Sequence, residues 1–228
     1  MKYSIIETGS SGNFTVLENV IALDMGVSFK KVEPFLPYLK VVFVGHQHHD
    51  HFKEATIRKA ARSRPTLRFC GGPWMVEYFL KAGVDKRNID VLDEGMQYDY
   101  GDFKIEPVRL FHNVPNYGLK IYLNGEKAFY AVDTGHMDGI EAKDFDLYLL
   151  ESNHLQAEIE AAVAEAQATG SFTYRTRAAE NHLSYEQAVD WLATQIVDPS
   201  KSMWVPLHQH KKKEGEHEQD DRTLAAYR

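Results

Sequence analysis

Five of the six residues from 46 to 51, His46-Gln47-His48-His49-Asp50-His51, carry side chains able to hold a metal ion. They follow the apolar run Val41-Val42-Phe43-Val44 and Gly45, where a strand should end. Alternation sends His46 and His48 to one side, and a turn beginning there brings Asp50 and His51 to a second, adjacent point. One short segment can therefore serve two cations. Further candidates follow other apolar runs: His112 after Phe111, Asp133 after Tyr130-Ala131-Val132, and His208 after Trp204 to Leu207. Strand exits can converge on one rim of a sheet sandwich, so residues far apart in the chain can share a cavity.

The chemistry follows from the side-chain types. Two close divalent cations acidify a shared water and neutralise the oxygens of a phosphodiester, which makes phosphoryl transfer the natural reaction. A leaving alkoxide needs a proton, and an imidazole of near-neutral pKa is suited to supply it. An imidazole-rich, redox-free site points first to Zn2+, while its two carboxylates and open positions also admit Mn2+ or Fe2+.

The elements that must position these residues read as short strands and interleaved helices. Strands are expected over Tyr3 to Thr8, Phe14 to Glu18, Val20 to Asp24 and Val41 to Val44, punctuated by Gly9, Gly12, Asn19 and Gly26. Lys53 to Ala61 and Trp74 to Lys81 read as helices, with Leu67 to Phe69 and Ile89 to Leu92 as intervening strands. Further strands run through Phe103 to Leu110, Leu119 to Leu123 and Ala128 to Val132, with a hairpin at Asn124-Gly125. After the strand Leu147 to Leu150, a helix over Leu155 to Ala168 should stop at Gly170. Ser184 with Gln187 makes a capping box for a helix whose apolar face is Ala188, Trp191, Leu192 and Ile196. Met203 to Leu207 reads as the last strand, followed by the charged stretch Lys211 to Glu218 and a helix-capable end, Arg222 to Tyr227.

With 228 residues, 43% of them hydrophobic, the chain suits a single domain with a charged tail over about 211–228. Its one cysteine, Cys70, has no partner for an internal bridge and reads as a small buried residue, which fits a reducing, cytosolic setting. No run approaches membrane-spanning length, so no membrane partner is expected. A net charge of −7 opposes broad adsorption to nucleic acid, although local basic groups can still bind it.

The ordered set His46-x-His48-x-Asp50-His51, His112, Asp133-Thr134-Gly135 and His208 resembles the metallo-β-lactamase superfamily over nearly the whole chain. That resemblance implies an α/β fold, a four-layer αβ/βα sandwich with two metal ions at one edge. By family position His46, His48 and His112 hold one ion, Asp50, His51 and His208 the other, and Asp133 bridges them. Asp24, in Ala22-Leu23-Asp24-Met25-Gly26, matches an aspartate that orients a ligand imidazole.

Within the superfamily, Gly9-Ser10-Ser11-Gly12-Asn13, Glu151-Ser152-Asn153-His154 and His182-Leu183-Ser184 resemble the small WalJ/YycJ-like group. The last two motifs are also similar to the tRNase Z branch of phosphodiesterases. The resemblance implies proton-handling roles for Glu151 and His182, with His182 as general acid held by Glu151, and Asp50 as a catalytic ligand. It implies a two-metal phosphodiesterase, a nuclease of DNA or RNA using hydroxide made at the metals, and it admits a homodimer. A phosphodiesterase of cyclic or short nucleotides is the alternative. Lactone, thioester or β-lactam hydrolysis uses the same attack on carbon, and a zinc-stabilised binding module is the non-enzymatic reading. Gly45 departs from the threonine usual before the first ligand, and no long basic arm or β-CASP domain is evident, which weighs against tRNA maturation and RNase J-like degradation.

Other residues keep two readings. The Gly9 to Asn13 loop can offer amides to a phosphate or simply turn between strands. Arg58, Lys59 and Arg62 can track phosphates or form a solvated helix face, and Lys211-Lys212-Lys213 reads as solvated. His49 should point away from the metals. With His136, His154, His210 and His217 it reads as structural or surface, His154 being the first exception to consider.

Overall fold

The computed structural model describes residues 1–170 and 179–209. In chain order the strands are β1 (Tyr3–Glu7), β2 (Phe14–Leu17), β3 (Ile21–Leu23), β4 (Val41–Phe43), β5 (Arg68–Gly71) and β6 (Ile89–Val91), which form one six-stranded sheet in that order. The second sheet takes β7 (Tyr98–Asp99), β8 (Phe103–Leu110), β9 (Asn116–Leu123), β10 (Glu126–Ala131), β11 (Leu147–Glu151) and β12 (Met203–Leu207), in the order β12-β11-β10-β9-β8-β7. The helices are α1 (Phe29–Val32), α2 (Glu54–Ser63), α3 (Val76–Lys81), α4 (Gln156–Thr169) and α5 (Tyr185–Gln195).

Period-two alternation explains the layers. In β3 and β4, Ile21, Leu23, Val41 and Phe43 face the core between the sheets, where they meet Ile105, Leu119, Ile121 and Leu149. The intervening Ala22 and Val42 face outward onto Ile57 and Ala60 of α2 and Phe79 of α3. The second sheet repeats the scheme. Tyr130 of β10 and Leu149 of β11 point inward, while Phe129, Tyr148 and Leu150 face Ala188 and Leu192 of α5. Burying each valine, leucine, isoleucine or phenylalanine among them contributes about 1.5–3 kcal/mol. The product is the expected four-layer αβ/βα sandwich.

Strand direction then fixes where chemistry can occur. β3, β4, β5 and β6 are mutually parallel, as are β10, β11 and β12. Because β9 runs antiparallel to both β8 and β10, β8 shares the direction of β10. The carboxyl ends of β3, β4, β8, β10, β11 and β12 therefore deliver Asp24, the 46–51 segment, His112, Asp133, Glu151 and His208. Loops beyond the carboxyl ends of parallel strands are the usual place for ligands in open α/β sheets.

Local signals hold where they depend on near neighbours. Asn124 and Gly125 both have positive φ, 54° and 80°, as a tight hairpin requires. α4 stops at Gly170 in the left-handed region, φ 65°. Ser184 and Gln187 make both bonds of the capping box on α5. Ends shift by a few residues: β9 starts at Asn116 rather than Leu119, and a 3-10 turn over Pro73–Met75 precedes α3. α1 and β7 were not expected, being too short to show a period. The charged stretch 211–218 and the helix-capable end 222–227 lie outside the described residues, as do His210 and His217. Among the described residues no helix is long and apolar enough to cross a membrane.

Cys70 on β5 is fully buried between the sheets, and burial pushes its thiol well above the ordinary range. Since the thiolate is the reactive form, Ellman's reagent should not label the native protein and should release one equivalent per chain after denaturation. Rapid labelling under native conditions would show that β5 is not packed as described.

Candidate metal centre

Asp24 organises the rim. It leaves β3 in a left-handed conformation, φ 59°, and accepts a hydrogen bond from the Gly45 amide at 3.1 Å. Its other oxygen lies 2.6 Å from His51 Nδ1 and accepts from the Tyr130 hydroxyl. A carboxylate on Nδ1 fixes ring and tautomer and leaves Nε2 for the centre. His51 Nε2 then lies 2.9 Å from Asp133 Oδ2 and 3.4 Å from Asp50 Oδ2.

Asp133 stands at the middle. It too is left-handed, φ 62°, and only 2% exposed. Asn116 holds its turn by donating from Nδ2 to the carbonyls of Val132 and Asp133, at 2.9 and 2.8 Å. This packing accounts for glycine at position 45, since a Cβ there would lie 2.5 Å from Asn116 Oδ1 and 2.7 Å from the Tyr117 carbonyl. Around the Asp133 carboxylate, His46 Nε2 lies at 3.3 Å, His112 Nε2 at 3.8 Å, and His208 Nδ1 and His182 Nδ1 at 3.4 and 3.3 Å. His48 Nδ1 sits 3.3 Å from His112 Nε2.

Two sets of four ligand atoms lie mutually within 4.8 Å: His46, His48, His112 with Asp133, and Asp50, His51, His208 with Asp133. These are the two sets implied by the sequence resemblance, and the carboxylate is common to both. The fit to cations rests on atoms that otherwise have no role. His46 Nε2, His208 Nδ1 and Asp133 Oδ1 are buried without a hydrogen-bond partner, although His46 Nε2 and His208 Nδ1 each lie within 3.4 Å of an Asp133 oxygen. Close approach without hydrogen-bond alignment suits ligands aimed at a shared ion. Burial lowers His112 and His208 to about 4, so both rings are neutral, as ligation requires. Asp133 remains an anion. Burial opposes its charge, and the surrounding imidazoles, His51 first, more than offset that and hold its carboxyl well below the usual range.

Glu151 and His182 form the third group, again with Asp133. Glu151 ends β11 fully buried, accepts from the Thr134 amide at 2.5 Å, and lies 3.0 Å from His182 Nδ1. Burial raises Glu151, and it works against charge on His182; the adjoining Asp133 and Glu151 carboxylates prevail and raise His182. The pair therefore retains a proton at neutral pH. With Nδ1 occupied by carboxylates, Nε2 is the nitrogen left for a substrate.

All ten residues singled out from the sequence thus meet at this rim. Sequence reasoning missed the supports. Asn13 Nδ2 lies 3.0 Å from His51 Nε2 and 3.3 Å from Asp50 Oδ2, and its backbone amide donates to the Asp50 carbonyl at 2.6 Å. Asn116 and Tyr130 carried no signal beyond strand membership. The Gly9 to Asn13 loop spends three amides internally or on Asp50: Gly9 N on Asn13 Oδ1, Gly12 N on the Gly9 carbonyl, and Asn13 N on Asp50. That favours a structural turn over a phosphate cradle. Thr8, just before it, accepts from the His208 amide at 2.7 Å and so joins residues 200 apart. Arg58 pairs with Glu54 one helical turn away, and Lys59 lies 5.8 Å over the Phe29 ring. His49 is exposed, as expected.

Comparison with known proteins agrees with this geometry. The family described as Beta-lactamase superfamily domain matches residues 23–208. Exodeoxyribonuclease WalJ of Streptococcus pneumoniae is 26% identical over 225 residues, covering 90% of this chain and 80% of that protein. Among solved structures, the short form of human tRNase Z superposes with a TM-score of 0.66 at 15% identity, covering 92% of this chain and 93% of that one. The metallo-beta-lactamase fold protein YhfI of Bacillus subtilis gives 0.58 at 19%, covering 68% and 72%.

The loop has no slack at Gly26, where a Cβ would fall 1.7 Å from the Asp50 carbonyl oxygen and 2.7 Å from the His51 amide. Gly26→Ala should therefore displace Asp50 and His51, lower stability by about 1–3 kcal/mol, and reduce bound metal per chain. Thermal melts and elemental analysis read both effects; wild-type metal content in a variant that still melts normally would contradict the described packing.

Proposed function

Because this chain belongs to the Beta-lactamase superfamily domain family and is a metal-dependent hydrolase of that superfamily, we propose that it is a two-metal phosphodiesterase, a nuclease cleaving DNA or RNA. The observation that carries this reading is the Glu151–His182 pair beside the Asp133 carboxylate. Two divalent ions, Zn2+ first and Mn2+ or Fe2+ as substitutes, would acidify water and offset the phosphodiester's charge. His46, His48 and His112 would hold one and Asp50, His51 and His208 the other, with Asp133 between.

The chain's own groups do the rest. His182 Nδ1 is hydrogen-bonded to Glu151 with the Asp133 carboxylate 3.3 Å away, which turns Nε2 outward and keeps a proton on the ring. From there the proton passes to the leaving oxygen, which would otherwise depart as a high-energy alkoxide. Asp24 keeps His51 in the tautomer that ligation needs. The name of the Streptococcus pneumoniae relative, an exodeoxyribonuclease, supports a nucleic-acid substrate. A single buried cysteine supports a reducing compartment, the cytosol.

His182→Ala should lower phosphodiester turnover by about 10²-fold or more with metal content preserved; loss of metal would instead make His182 a ligand. Zn2+- or Mn2+-loaded protein should cleave single-stranded DNA or RNA in a panel that also contains cyclic nucleotides and lactones. Turnover of the cyclic compounds alone would replace the nuclease reading with that of a cyclic-nucleotide phosphodiesterase.

A further inference from the structure

We propose that Phe111 and His136 form a stacking platform for the nucleobase beside the scissile phosphate of a single-stranded nucleic-acid end. The proposal rests on the phosphodiesterase reading above and adds the residues that grip the substrate. Phe111 is 36% exposed and belongs to none of the three apolar clusters. It immediately precedes His112, while His136 follows Asp133 by three residues. The two rings stack with centroids 3.8 Å apart and planes 24° from parallel.

The pair is rigidly mounted. Phe111 donates from its amide to Thr134 Oγ1 at 3.0 Å and accepts from the Gly135 amide at 2.7 Å. Thr134 Oγ1 donates in turn to the His136 carbonyl at 2.8 Å, and the Thr134 amide binds Glu151. The platform therefore ties the segment after β8 to the Asp133 loop, which is itself hydrogen-bonded to Glu151. Phe111 is bonded directly to His112, so the platform is carried by the backbone that delivers this candidate ligand.

Chemistry selects the base rather than a phosphate as the occupant. Phe111 offers no donor, and Asp138 places a carboxylate 3.3 Å from His136 Nδ1, which repels an anion. An uncharged, flat base extends the stack, and because every base has a π face the contact is tolerant of sequence. Holding both rings in place beforehand reduces the ordering cost of binding.

The test uses the metal-loaded protein with a single-stranded DNA oligonucleotide and the same strand carrying an abasic sugar at the position to be cleaved. Wild type should prefer the base-bearing strand in kcat/KM. In Phe111→Ala and Phe111→Leu that preference should fall about 10-fold, mainly through KM, the scale of one lost stacking contact. Phe111→Tyr should retain it, and His136→Ala should lower it. Circular dichroism and metal content identify a misfolded variant, in which case Phe111→Leu decides. An unchanged preference in folded, metal-loaded Phe111→Leu, or a wild type indifferent to the base, overturns the platform while leaving the nuclease reading intact. A wild type that cleaves neither strand, nor the RNA of the same sequence with or without the base, overturns both.

Discussion

One buried carboxylate sets the terms for this molecule. Asp133 is almost solvent-free, yet nitrogens of His46, His51, His112, His182 and His208 all approach it within 3.8 Å. An anion taken out of water is tolerable only with close opposite charge or donors around it. The segments after β4, β8 and β12, with His182 just before α5, supply them. Five imidazoles and one carboxylate in so small a volume also leave several lone pairs without hydrogen bonds, and divalent cations are the partners that such a donor set suits.

Strain marks the same places. Three of the seven non-glycine residues with left-handed backbone angles among those described, Asp24, Asp133 and His208, stand at this rim, at a cost on the order of 1–3 kcal/mol each, while Glu18, Asn19, Asn124 and Asp144 lie in turns elsewhere. Each of the three follows directly or closely on a strand of the rim. The angle turns the side chain back over the sheet edge instead of letting it follow the strand into solvent. Asn116 and Thr134 hold the Asp133 turn from either side, so the strained residue is over-determined by its neighbours.

Much of this was visible in the chain itself, and the reason is locality. The Asn124-Gly125 hairpin, the Ser184 capping box and the Gly170 stop each depend on residues within a few positions. Alternating apolar residues disclosed the strands, and metal-competent residues at their exits disclosed the centre. What stayed hidden depends on distance. Tyr130 alternates correctly into the core, but nothing nearby reveals that its hydroxyl meets Asp24, 106 positions away. Asn116 resembles any loop residue before a strand until its amide is seen to clasp carbonyls 16 and 17 residues on. Glycine at 45 appeared as a departure from a pattern and becomes intelligible only once Asn116 fills the space beside it.

The clasp between Thr8 and His208 bears on how the protein is born. The first loop receives its partner only after 200 further residues have been made, and contacts of that sequence separation close late in folding. During synthesis the early sheet can form while the reactive rim still lacks its final histidine. A hydrolase assembled in this order cannot close its donor set around Asp133 until the strand that ends at Leu207 has docked and brought His208 to the rim.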